Sequence, residues 1–126
     1  HIILPEVISK EPLGPAIKYG DKQFSNIVRW AIYVLFLAEE YGITEVNIDD
    51  FGSHPDPMIQ IFMGEKGELG LKLGISEYFA VDIISILGNY GELFELHLGK
   101  KTRLGLDRGY NKLYSKGGLL YAPPLK

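Results

Sequence analysis

A chain of 126 residues with an apolar fraction of 46% is the size of one domain and has side chains enough for a core. It holds no cysteine, so no thiol nucleophile exists and the redox compartment is unreadable from composition. The net charge of −3 hides a division: residues 1–98 carry six Lys/Arg against fifteen Asp/Glu, whereas residues 99–126 carry seven Lys/Arg and a single acid, Asp107. A basic tail of this kind marks either a nucleic-acid contact or a segment lying on its own acidic body. Leucines at 104, 106, 113, 119 and 120 and the lack of a dense Lys/Arg run favour the second, with no nucleic-acid partner. No run approaches the ~20 apolar residues of a membrane span. The chain opens on His1 with no basic leader segment before it, and reads as a processed product or a piece of a longer protein.

Residues 1–8, HIILPEVI, form a β-prone run, and Pro5 inside it indicates an edge or a strand end. Two prolines and a glycine then make residues 9–15 an extended crossing, because the residue before each proline is pushed out of the helical region. Residues 16–19 read as a second short strand. Asp21 is a helix N-cap, Gly42 a C-terminal stop, and Phe24, Ile27, Val28, Ala31, Val34, Leu35 and Ala38 share one face of the helix between them. That helix is unusual on its other side. Trp30, Ile32, Tyr33, Phe36 and Leu37 give it a second apolar face, which a chain this short struggles to cover. Thr44 is placed to cap a short helix through Phe51. Asp56-Pro57 starts another that runs to Met63 and ends at Gly64. Residues 64–74 read as a glycine-punctuated surface loop. Ser76 caps a helix whose apolar face is Tyr78, Val81, Ile83, Ile84 and Leu87. Residues 90–98 make one more, with Phe94 and Leu98 aligned, closed by Gly99. Residues 107–114 look helical although Gly109 weakens them, and residues 119–126 are extended because of their paired prolines. No repeat, heptad or low-complexity linker is present.

Chemistry-bearing patterns are few. The glycines at 64, 67, 70 and 74 match neither the dinucleotide fingerprint nor the P-loop, with no strand before them and no Gly-Lys-Ser/Thr after. His1, His54 and His97 form no pair at helical spacing, so no metal dyad is expected. The carboxylate pairs Glu39-Glu40, Asp49-Asp50 and Glu92/Glu95 fit solvated helix ends better than an acid and base facing each other across a substrate. No catalytic constellation, metal site or cofactor site emerges, and the chain is not expected to be an enzyme.

Three separated stretches in order carry a family resemblance. LPEVISKEPLGPAIKYGD followed by a long helix is the first. Gly88-Asn89-Tyr90-Gly91-Glu92 is the second, and Gly117-Gly118-Leu119-Leu120-Tyr121-Ala122-Pro123-Pro124 is the third. Together they resemble the late part of the general L-amino-acid-binding periplasmic proteins of bacterial ABC importers, within the solute-binding family for polar amino acids. Ile17, Lys18, Tyr19, Gly20 and Asp21 stand where that family has a strand, a basic residue, Gly and a helix-capping Asp. The resemblance implies an α/β parent, a two-lobe periplasmic binding protein of type II. Of it, this fragment is predominantly α-helical with one or two short N-terminal strands. Residues 1–20 would be a second-lobe strand and hinge crossing. Residues 21–98 would be terminal helices of the first lobe, with a helical insertion at 43–75, and residues 99–126 a basic tail with a short helix.

The resemblance also implies a function: periplasmic uptake of L-amino acids, delivered to ABC permease subunits of the inner membrane. The family holds its ligand's carboxylate with an Arg and backbone N–H groups and its ammonium with an acidic side chain. Those main ligand residues fall outside this chain. Glu11 and Pro12, on the hinge crossing, are the candidates within it. A fragment of this kind is not expected to bind amino acids alone. It is expected to self-associate as a homo-oligomer through the second face of the long helix, at Trp30, Tyr33, Phe36 and Leu37. The alternative is a stand-alone helical interaction or dimerisation module that uses the same face to hold a partner helix.

Overall fold

The computed structural model describes Leu4, Glu6 and residues 13–125. Most of the expected first strand, and the hinge candidates Glu11 and Pro12, lie outside the described residues. Among the described residues there are five α-helices: α1 (Lys22–Tyr41), α2 (Pro57–Phe62), α3 (Leu69–Leu73), α4 (Phe79–Leu87) and α5 (Tyr90–His97). Three 3-10 turns accompany them at Ile48–Phe51, Gly109–Asn111 and Tyr114–Lys116.

Helix α1 is the axis, and its ends are set by local chemistry. The Asp21 carboxylate accepts from the Phe24 amide at 2.9 Å, satisfying a donor that the first turn leaves free. Gly42 sits in the left-handed region at φ 72°, which costs a glycine nothing. The turn it makes lets the Ile43 amide reach back to the Ala38 carbonyl at 2.8 Å, and Ile43 is fully buried. That pairing of a backward hydrogen bond with an apolar contact is the Schellman ending. Helix α1 packs against α4, α5 and α3. Val34, Leu37 and Ala38 enter a core shared with Ile43, Phe62, Leu73, Ala80 and Ile84. Ala122 and Leu125 of the extended tail close this core from the far end of the sequence.

Four expectations are revised. Residues 16–19 form no strand: residues 13–20 are exposed, and among the described residues no strand lies beside them to accept a ladder of hydrogen bonds. The only β pairing described is an isolated parallel bridge between Leu113 and Leu120. The helix expected from Thr44 shrinks to the 3-10 turn at Ile48–Phe51. The Thr44 and Asn47 side chains each accept from the other's amide, at 3.2 and 2.7 Å, and hold the preceding residues in a turn. Residues 107–114 give two 3-10 turns rather than a helix, since Gly109 takes φ 49°, which a right-handed helix does not continue through.

The fourth revision concerns the glycine-punctuated stretch. It is no open loop, because Leu69, Gly70 and Leu73 are buried and residues 69–73 form α3. The cap comes from outside the helix: the Glu77 carboxylate accepts from the amides of Gly70 at 3.0 Å and Leu71 at 2.6 Å. Glycine at 70 is required by space. A Cβ there would strike the Ser76 carbonyl oxygen and stand 2.7 Å from the Glu77 backbone. In chemical denaturation, Gly70→Ala is therefore expected to cost about 2 kcal/mol or more, in the range of overpacked sites. Gly14→Ala, where nothing lies within 4 Å, should leave the midpoint unchanged.

Candidate functional site: the tail anchor and the exposed apolar faces

The basic tail is fastened to α1 by one bidentate ion pair. Arg108 Nη1 and Nη2 donate to the two Glu39 carboxylate oxygens at 2.6 and 2.8 Å. Both side chains are largely buried, at 15% and 9% exposure. Two more donors are used: Nε and Nη2 donate to the Asn111 carbonyl at 3.0 and 2.6 Å. The guanidinium also stands over the Tyr90 and Phe94 rings, 5.3 and 5.7 Å from their centroids. Lys116 adds a longer contact to Glu39 at 4.0 Å, and the Tyr114 hydroxyl donates to Glu40 at 3.4 Å. The charge division of the sequence is thus resolved within the chain, tail on body. The most exposed pair, Lys100–Asp107 at 2.9 Å, is internal to the tail.

The two later sequence signatures build this anchor. Asn89 caps α5: its side chain accepts from the Glu92 amide at 3.0 Å while Glu92 accepts from the Asn89 amide at 2.8 Å. Asn89 Nδ2 donates to the Ile43 carbonyl at 2.8 Å, tying the start of α5 to the end of α1. Gly91 lies against the ion pair, since a Cβ there would meet Arg108 Nη1 at 3.0 Å and Glu39 Cδ at 3.3 Å. In the tail, Gly118 packs tightly on the Lys112 backbone. The amides of Leu119 and Leu120 donate to the Tyr110 and Lys112 carbonyls at 2.8 and 3.0 Å.

The side chains expected to mediate self-association are separated by the fold. Leu37 is 2% exposed, inside the chain's own core. Phe36 is half-buried and edges onto Tyr90 with centroids 5.1 Å apart. Trp30 and Tyr33 are half-buried and meet edge to face at 5.5 Å. Exposed large apolar side chains lie elsewhere, as Ile86 and Leu87 at the end of α4, Leu96 on α5, and Leu13 and Tyr19 before α1. Periodicity placed Ile86 off the core face but carried no sign that the surface beyond it would be open. Among the described residues, two clefts lie beside the ends of α1. One of about 350 Å³ lies between the end of α1, Met58 and the tail. The other, of about 280 Å³, lies between residues 17–20 and the first turn of α1. Among the described residues no cluster of His, Asp or Glu is arranged to hold a metal ion, and no helix is long and apolar enough to cross a membrane.

No protein-family model matches the chain. Individual proteins do. The general L-amino acid-binding periplasmic protein AapJ of Rhizobium johnstonii is 48% identical over 100% of this chain and 38% of its own length. The glutamate/glutamine/aspartate/asparagine-binding protein BztA of Rhodobacter capsulatus is 48% identical over 99% of this chain and 37% of its own. A solved ABC transporter periplasmic binding protein from Brucella ovis with glutathione bound superposes with a TM-score of 0.94 at 40% identity, over 99% of this chain and 40% of that one. The fold is therefore that of part of a two-lobe periplasmic binding protein of type II, mostly helical in this portion. Over its whole length the chain is homologous to a segment of the amino-acid-binding periplasmic proteins of ABC transporters. It spans 37–38% of the length of these curated relatives.

Two outcomes are expected of the anchor. Glu39→Ala and Arg108→Ala should each destabilise the fold by about 3 kcal/mol, the range for stranding one partner of a buried pair. The double variant should lose distinctly less than the sum, as a double-mutant cycle by denaturation would show. Burial raises the Tyr90 phenol above its ordinary 10.0, with Arg108 opposing and Glu39 reinforcing. A raised value favours the neutral phenol in the folded state. Its contribution is full below pH 10 and is lost as pH climbs through the folded value. A spectrophotometric titration should show late-ionising tyrosines, Tyr41 and Tyr90, and Tyr90→Phe should remove one of them.

Proposed function

We propose that this chain is part of a periplasmic substrate-binding protein that delivers L-amino acids to the permease of an ABC importer, and that the chain alone does not hold the ligand. The observation that carries the reading is the likeness over 99–100% of the chain to two amino-acid-binding proteins, each of them much longer. In this reading residues 1–20 are a second-lobe strand and the crossing between lobes, with Glu11 and Pro12 on the crossing. Residues 21–98 are terminal helices of the first lobe, including an insertion at 43–75, and residues 99–126 are its tail. The exposed, irregular course of residues 13–20 directly before a capped helix supports that division.

The anchor supports the second half of the proposal. Arg108 commits four of its five N–H donors to Glu39 and Asn111, so its guanidinium is engaged within the chain rather than held out to a ligand carboxylate. The rest of the longer protein then covers the apolar side chains left exposed on α4 and α5. Any contact between copies of this chain falls to Trp30, Tyr33 and Phe36, since Leu37 is internal. Calorimetry with a panel of L-amino acids tests both halves. A longer protein containing this sequence should give a stoichiometric heat, and the chain by itself none. A micromolar signal from the chain alone overturns the second half, and silence from the longer protein overturns the first.

A further inference from the structure

The cleft beside the end of α1 has the composition of a cation site. Its walls are Leu37, Tyr41 and Met58 on one side and Tyr114 and Tyr121 of the tail on the other, with Glu40 at the rim. Its volume of about 350 Å³ lies in the range of small-molecule pockets. The Tyr114 and Tyr121 rings meet at 74° with centroids 5.4 Å apart, so they form an aromatic corner. A cation lodged in such a corner is attracted by the negative faces of the rings, a geometry that suits alkylated ammonium groups because they are weakly hydrated.

The charge around the cleft agrees. Glu40 makes no ion pair among the described residues; the cations of the tail that reach α1, Arg108 and Lys116, both go to Glu39. The Tyr114 hydroxyl donates to Glu40 at 3.4 Å, holding its carboxylate beside the rings. On the cleft wall the Tyr41 phenol is pushed above its ordinary value, by burial first and then by the negative charges of Glu40 and Asp56. Tyr114 and Tyr121 are more than half exposed and Glu40 is exposed, so both rings and the carboxylate are accessible to a ligand.

We propose that this cleft binds a small organic cation bearing an alkylated ammonium group, with Tyr114 and Tyr121 facing the cation and Glu40 supplying the counter-charge. The site stands independently of the uptake reading, because it is built wholly from described residues of this chain. Choline serves as the probe. Its control is the neutral carbon isostere, in which a tert-butyl group replaces the trimethylammonium, and the readout is side-chain NMR of the protein in constant salt. Choline should shift the Tyr114, Tyr121 and Met58 signals saturably and bind at least tenfold tighter than the isostere. Tyr114→Leu and Tyr121→Leu should each weaken it about tenfold, and Glu40→Gln about threefold, measured at a temperature where each variant is fully folded. Equal binding of the neutral isostere, shifts that survive both tyrosine substitutions, or no saturable shift at all would overturn the assignment. Failure of the amino-acid calorimetry leaves this result untouched, so the two readings fail separately.

Discussion

Glu39 is the residue on which the rest of the chain turns. It stands in the last turn of α1, where the helix dipole presents its negative end and α1 offers no basic residue of its own. A carboxylate there is repelled by the free carbonyls and, being largely buried, is also cut off from water. The arrangement holds only if a cation arrives from elsewhere. Arg108 comes from 69 positions further along, engages both oxygens, and has its flat faces covered by Tyr90 and Phe94. One constraint at the end of one helix thereby fixes where α5 must lie and where the tail must cross.

The consequences run outward from that point. Helix α5 has to begin close to the end of α1, and Asn89 achieves this by capping α5 with its oxygen while its amide nitrogen holds the Ile43 carbonyl. A Cβ at Gly91 would crowd the ion pair, at 3.0 Å from Arg108 Nη1 and 3.3 Å from Glu39 Cδ. Once Arg108 is seated, the tail folds over the same end of α1, pairs Leu113 with Leu120 and delivers Ala122 and Leu125 into the core. The stretches at 88–92 and 117–124 that carry the family likeness thus share in joining α1, α5 and the tail.

Helix ends were the most legible part of the sequence, because capping is local: Asp21, Gly42, Asp56-Pro57 and Gly64 act on residues within a few positions of themselves. What could not be read depended on distant partners. Helix α3 hides in a glycine-rich stretch because its cap, Glu77, lies beyond its far end and reaches back to Gly70 and Leu71. The strand expected at 16–19 has the composition of a strand and, among the described residues, no neighbour to pair with. The second apolar face of α1 was visible as a pattern, yet the pattern could not tell that Leu37 would be internal while Trp30 and Tyr33 stayed half-covered. The opposite charges of body and tail predicted that the two would meet. Only the fold shows that the charged contact is concentrated in one arginine, Arg108, whose pairing with Glu39 anchors the tail.

That claim is tested most directly by hydrogen exchange of individual amides in the native chain and in Arg108→Met. The amides of Tyr114, Leu119 and Leu120 donate within the tail, so they report its docking. In the native chain they should exchange far more slowly than in a free peptide. In Arg108→Met their protection should collapse, while the amides of α1 from Val34 to Ala38 keep most of theirs. Tail amides that stay protected after the substitution, or that exchange freely before it, would contradict an anchor built on Glu39 and Arg108.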